Sequence, residues 1–310
     1  MSYQLLSYRS GAQARAGILV GGQVHDAAGE TSEAAYVTVL DILVDWPRAE
    51  GLLSQAASRI AAGHGKSAGS ALASTPLLAP VIYPGAIYAA GANYLDHVRE
   101  MERAQNMPAG PTMKELGELP WHFIKSARSS IVGPGATVKL PRYSRTVDWE
   151  VELVAIIGRK ASDVSIADAL GHVAGYTIAN DLSARDAMLR KGNAPSSPFY
   201  FDWVAHKSFD GSCPTGPWMT PARDIADPQA LGIKLWVDGE PMQDSHTSQM
   251  IFSVAEQVAA LSSRVTLHPG DMILTGTPAG VGMPRNVFLK PGQTVRMWIE
   301  NIGELEHELA

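Results

Sequence analysis

Short apolar runs broken by glycine and proline dominate the pattern along this chain, and only a few stretches carry helical spacing. Near the start, residues 5–8 and 16–20 read as strands, with Gly21-Gly22 as a tight turn before Val24. Residues 37–43 and 52–62 repeat their apolar positions at helical spacing. Residues 63–70 are small and polar, the composition of a linker or loop. Beyond Pro80 the pattern predicts strands over 87–90, 137–140, 151–157, 175–179, 233–237, 271–275 and 294–299, with helices over 166–170 and 251–261. Pro-Gly pairs at 84–85, 134–135, 269–270 and 291–292 punctuate these runs as turns. The expected fold is therefore α+β and mostly β. It has a small N-terminal α/β domain over residues 1–75 and a larger domain over 80–310 with a mixed β-roll or barrel-like core.

Composition narrows the possibilities. Of 310 residues, 45% are hydrophobic and 18% charged, as in an ordinary folded protein. A net charge of -6 argues against a nucleic-acid partner, which would need a basic footprint. Cys213 is the single cysteine, so no intrachain disulfide forms, and a reducing compartment is expected. The N-terminus lacks a basic start followed by an apolar run, and no stretch approaches the length of a membrane span. A cytoplasmic protein without membrane partners is the expectation. Gly65-Lys66-Ser67-Ala68-Gly69 imitates a serine nucleophile elbow, but an alanine-rich helical pattern precedes Ser67 where a strand is required. The same residues do not make a phosphate loop, because Ile60 stands where the upstream glycine should be.

The informative polar positions sit inside predicted strands. Asp148, Glu150 and Glu152 alternate with Trp149, Val151 and Leu153, so a strand would place the three acids on one face. Buried acids so close together need a cation, and oxygen ligands at this density suit Mg²⁺, Mn²⁺ or Ca²⁺. Asp181 ends a second apolar strand, and a helical turn would bring Arg185 close to it. His97 and Glu100 share a face of a helix, where the carboxylate could orient the imidazole as a general base. Residues 104–119 lack periodicity and suit a lid beside a site. Taken singly, the acids also fit a solvated strand face, the His97/Glu100 pair a surface helix and the loop a mobile insertion.

Together these segments resemble the fumarylacetoacetate hydrolase family. The resemblance is carried, in order, by Gly91-Ala92-Asn93-Tyr94 with His97 and Glu100, Phe123-Ile124-Lys125-Ser126, Asp148 to Leu153, Asp181-Leu182-Ser183-Ala184-Arg185-Asp186, Lys207-Ser208-Phe209-Asp210, and Gly270 to Gly282. It spans roughly residues 80 to 305. It implies a homodimer and one divalent ion, commonly Mg²⁺, held by Glu150, Glu152 and Asp181. It also implies His97, Glu100 and Lys207 as catalytic residues, with Arg185, Lys125, Thr277 and Tyr94 contacting a small 2-oxo acid. One departure stands out: Met188 occupies a position where many members carry glutamine. The leading expectation is hydrolysis of a C–C bond in an acylpyruvate, giving pyruvate and a carboxylic acid. The alternatives are decarboxylation of a β-oxo acid such as oxaloacetate, isomerisation or hydration of a 2-hydroxydienoate, and a non-catalytic metal-binding role.

Overall fold

In the computed structural model, which describes residues 2–310, the strands assemble into two large open sheets and one small ribbon. The longer sheet runs in the order Ser70–Ala71, Gln23–Asp26, Gln13–Val20, Gln4–Ser10, Cys213–Pro221, Val173–Asn180, Val151–Ile157, Met272–Leu274, Ile87–Ala90, His122–Lys125. The second sheet is five-stranded and runs Glu240–His246, Gly232–Val237, Thr294–Ile299, Gly303–Leu309, Thr137–Val138. Pairing is mostly antiparallel, with parallel contacts such as Met272–Leu274 against Ile87–Ala90. Among the described residues neither sheet closes on itself, so the barrel-like alternative gives way to open mixed sheets.

Strand Val151–Ile157 lies at the centre, and every one of its residues is buried. Its period of two still holds. Val151, Leu153, Ala155 and Ile157 pack into a core with the five-stranded sheet, whereas Val154 and Ile156 pack against the N-terminal helices. That second core also contains Leu5, Ile18, Leu43, Trp46 and Leu53. The change of composition near residue 75 is thus bridged by a shared core and by backbone pairing, with Leu5 opposite Met219.

Most expected elements appear with shifted ends. The second N-terminal helix begins earlier, at Trp46–Ala61, with Pro47 in its first turn where no N–H is needed. The helix expected from residue 251 begins only at Val254, because Ser253 and Glu256 form a capping box. Cys213–Pro221 was not expected as a strand, given its three prolines. A register shift in its pairing with Val173–Asn180 lets it lie centrally all the same. No helix among the described residues is long and apolar enough to cross a membrane.

Candidate active site

Pairing geometry brings the acids together. Val151 faces Asn180 and Glu152 faces Ala179, so Asp181 falls opposite Glu150 and donates its N–H to the Glu150 carbonyl at 2.9 Å. Ligand oxygens of Glu150, Glu152 and Asp181 all lie within 4.8 Å of one another, and all three residues are buried.

Cationic side chains surround this cluster. Lys207, in the last turn of Trp203–Lys207, donates to Glu150 Oε2 and Asp181 Oδ2, both at 2.7 Å. Lys125 donates to Asp181 Oδ1 at 2.6 Å and to the Lys207 carbonyl. Arg185 donates to Glu150 Oε1 at 2.6 Å and to Asp148 Oδ2 at 3.0 Å. Its expected pairing with Asp181 is corrected here: residues 181–185 pass through a short strand rather than a helical turn, which turns the guanidinium to the other two acids. Burial raises the pKa of Glu150, but Lys207 and Arg185 outweigh it and hold that carboxyl far below its usual range. Burial also opposes the charge on Lys207, and Asp181 and Glu150 more than restore it.

Glu152 stands apart. No cationic side chain pairs with it among the described residues, and its Oε2 accepts only from the Gly276 N–H at 2.6 Å. Burial, followed by the charges of Asp181 and Glu150, pushes its pKa well above the ordinary carboxylate range. Four buried carboxylates thus face three cations, and one of them lacks a cation altogether. Hard oxygen donors with negative charge in surplus fit a divalent cation held by Glu150, Glu152 and Asp181.

A glycine-rich loop harnesses the surroundings through its backbone. Besides the Gly276 N–H on Glu152, Gly280 N–H reaches Glu100 Oε2 at 2.9 Å, and Gly282 N–H reaches Asp148 Oδ1 at 2.6 Å. A side chain at Gly280 would place Cβ 2.1 Å from the Met242 carbonyl oxygen, so only glycine permits this path. Thr277 Oγ1 donates to the Val151 carbonyl at 2.9 Å and accepts from Gln243 Nε2 at 2.9 Å. Neither the orienting role of Asp148 nor that of Gln243 was expected. The only sequence signal was the place of Asp148 in the acidic alternation.

Helix Leu95–Ala104 carries His97 and Glu100. His97 Nδ1 lies 3.8 Å from Glu100 Oε2, beyond hydrogen-bond reach, and has no other partner. Burial raises the Glu100 pKa, but His97 and the Gly280 N–H bring it below the usual value. His97, Glu150, Arg185, Lys207 and Thr277 line one cavity of about 890 Å³. Met188 lines it too, so a thioether stands where a polar amide was the expected family pattern. His206 is a further lining residue; burial and then Lys207 lower its pKa to about 3.

Two expected substrate contacts lie elsewhere. Lys125 is buried behind Asp181, at the inward-facing end of strand His122–Lys125, and does not line the cavity. Tyr94 is fully buried in the core and its hydroxyl has no hydrogen-bond partner. The aperiodic segment before Trp121 does border the cavity, through Met113 and residues 116–119.

The chain is similar to known proteins over most of its length. Residues 86–310 match the family model described as fumarylacetoacetate (FAA) hydrolase, C-terminal. The chain is 45% identical over 228 residues to human oxaloacetate tautomerase FAHD2B, mitochondrial, covering 73% of this chain and 67% of that protein. Among solved structures, fumarylacetoacetate hydrolase from Exiguobacterium antarcticum superposes with a TM-score of 0.76 at 30% identity, covering 99% of both chains. Maleylpyruvate hydrolase from Sphingobium sp. SYK-6, in complex with manganese(II) and pyruvate, gives 0.74 at 27% identity, covering 99% of this chain and 98% of that one.

Proposed function

The chain belongs to the fumarylacetoacetate hydrolase family, whose members are enzymes, and on that premise we propose that it interconverts the keto and enol forms of a 2-oxo acid with the help of a divalent cation. The observation that carries this reading is the buried Glu150/Glu152/Asp181 cluster, backed by Lys207 and Arg185, beside the same cavity as His97. Glu150, Glu152 and Asp181 would hold the ion, with Mg²⁺ or Mn²⁺ as the expected occupant. When bound, the ion supplies Lewis acidity for negative charge developing on the 2-oxo oxygen.

The side chains account for the rest. The His97 imidazole takes a proton from the carbon next to the 2-oxo carbon, the C=C bond forms, and the carbonyl electron pair moves to oxygen. Lys207 and Arg185, which line the same cavity, would offset the charge on that oxygen. Return of the proton to oxygen gives the enol and to carbon the keto form. Glu100, held by the Gly280 N–H, lies 3.8 Å from that imidazole. The 45% identity to an oxaloacetate tautomerase supports this chemistry.

A second reading, hydrolysis of an acylpyruvate, draws support from the structural similarity to a maleylpyruvate hydrolase solved with pyruvate. It would use His97 to activate water instead. We further propose the homodimer that the family resemblance implies, testable by light scattering. The proposed location is the cytoplasm, which suits the lone, buried and unpaired Cys213; mitochondrial relatives make the mitochondrion the rival compartment. To test the reaction, enolic oxaloacetate and a panel of acylpyruvates are incubated with the Mg²⁺-loaded protein and followed by absorbance and NMR. Ketonisation without cleavage, stopped by EDTA, supports tautomerisation. Pyruvate plus a carboxylic acid from an acylpyruvate, with no catalysed ketonisation, overturns it in favour of hydrolysis.

A further inference from the structure

The cavity offers far more apolar wall than a compact oxo acid can use. Starting at the carboxylate cluster, Lys207 Nζ lies 5.1 Å from the centre of the Phe123 ring. Phe123 stacks on Trp203 at 5.4 Å, Trp203 meets Trp121 at 4.9 Å, and Trp121 returns to Phe123 at 5.7 Å, making a closed aromatic cluster in the cavity wall beside Lys207. Met113 and Leu116, each 57% exposed, line the same cavity from the aperiodic segment. Large apolar side chains held open to solvent around one concave volume mark a binding surface. A volume of about 890 Å³ lies near the upper end for a drug-sized ligand, and oxaloacetate would fill a small part of it.

We infer that the preferred substrate is a 2-oxo acid with an apolar substituent, aryl or alkyl of several carbons, whose tail packs against the Phe123, Trp203 and Trp121 cluster and the Met113 and Leu116 side chains. This rests on the 2-oxo acid reading above and specifies the substrate class. The rival is a terminal carboxylate taken by Arg264, which lines the same cavity and makes only a 3.5 Å bond to the Pro120 carbonyl. Aromatic faces and thioethers cannot satisfy a carboxylate, so the bulk of the wall favours the apolar tail.

The test is calorimetric titration of the Mn²⁺-loaded full chain with straight-chain 2-oxo acids from pyruvate to 2-oxooctanoate, with phenylpyruvate and 2-oxoadipate alongside. Each methylene that reaches this apolar wall lowers Kd about fourfold. Leu116→Asp and, separately, Trp121→Ala weaken 2-oxooctanoate relative to pyruvate by about tenfold. A flat series, or 2-oxoadipate binding more tightly than 2-oxohexanoate, overturns the inference. A flat series with ketonisation intact sinks the substrate class alone, whereas a steep series without ketonisation sinks the proposed reaction alone.

Discussion

At the scale of single residues the account turns on charge. Glu150→Ala and Asp181→Ala each remove an oxygen ligand and leave Lys207 without one of its two partners. Divalent metal affinity, read by titration, should fall at least about 100-fold in either variant. Glu152 sets the pH dependence. Burial and the Asp181 and Glu150 charges raise its pKa, so an ion bound there competes with a proton. Affinity should therefore rise with pH above the ordinary carboxylate range. Titrations just above that range in buffers of different ionisation enthalpy should show a proton released; no release there would contradict the assignment. His97→Ala should fold and bind metal while kcat falls about 100-fold or more. The acidic alternation made Glu150 and Glu152 legible beforehand, and the end of an apolar strand did so for Asp181. It did not separate Asp148, which serves Arg185 and the glycine loop. The burial of Lys125 and Tyr94 away from the cavity was not legible, because a motif names residues without saying which side of a strand or core each one faces.

Elements rather than residues explain how the site is held together. The glycine loop donates three backbone N–H groups to Glu152, Glu100 and Asp148, tying together two strands and a helix. A Cβ at Gly282 would sit 1.9 Å from the Val287 carbonyl oxygen and 2.8 Å from Asp148 Oδ1. Gly282→Ala should therefore lower stability by about 1–3 kcal/mol in denaturant unfolding. It should also lower metal affinity, which a purely local strain would leave unchanged. Strands with clean alternation or apolar runs, such as Val151–Ile157 and Thr294–Ile299, were readable from spacing alone. Cys213–Pro221 was not, because its prolines mimic a turn-rich loop and only the neighbouring strands accommodate them. The aromatic cluster stayed hidden because Trp121 and Phe123 are 80 residues or more from Trp203 in sequence.

For the molecule as a whole, the N-terminal segment is part of what holds the site. Its strand Gln4–Ser10 pairs with Cys213–Pro221, and its helices cover Val154 and Ile156 just beyond the acids on the same strand face. A fragment beginning at residue 80 would expose that core and leave a long strand edge unpaired. It should lose its native near-ultraviolet dichroism and bind metal poorly; a fragment that folds and binds metal like the full chain would contradict this. Composition made the segment look separate, since spacing reports local structure and cannot reveal a core shared between distant parts of the chain. A divalent cation and His97 are proposed together to move a proton next to a 2-oxo group. Solvent deuterium incorporation at that carbon of a 2-oxo acid, followed by NMR, tests it most directly. Rapid incorporation by the Mg²⁺-loaded protein that EDTA and His97→Ala each reduce about 100-fold or more is the predicted result; incorporation no faster than in buffer, or unaffected by both changes, would contradict it.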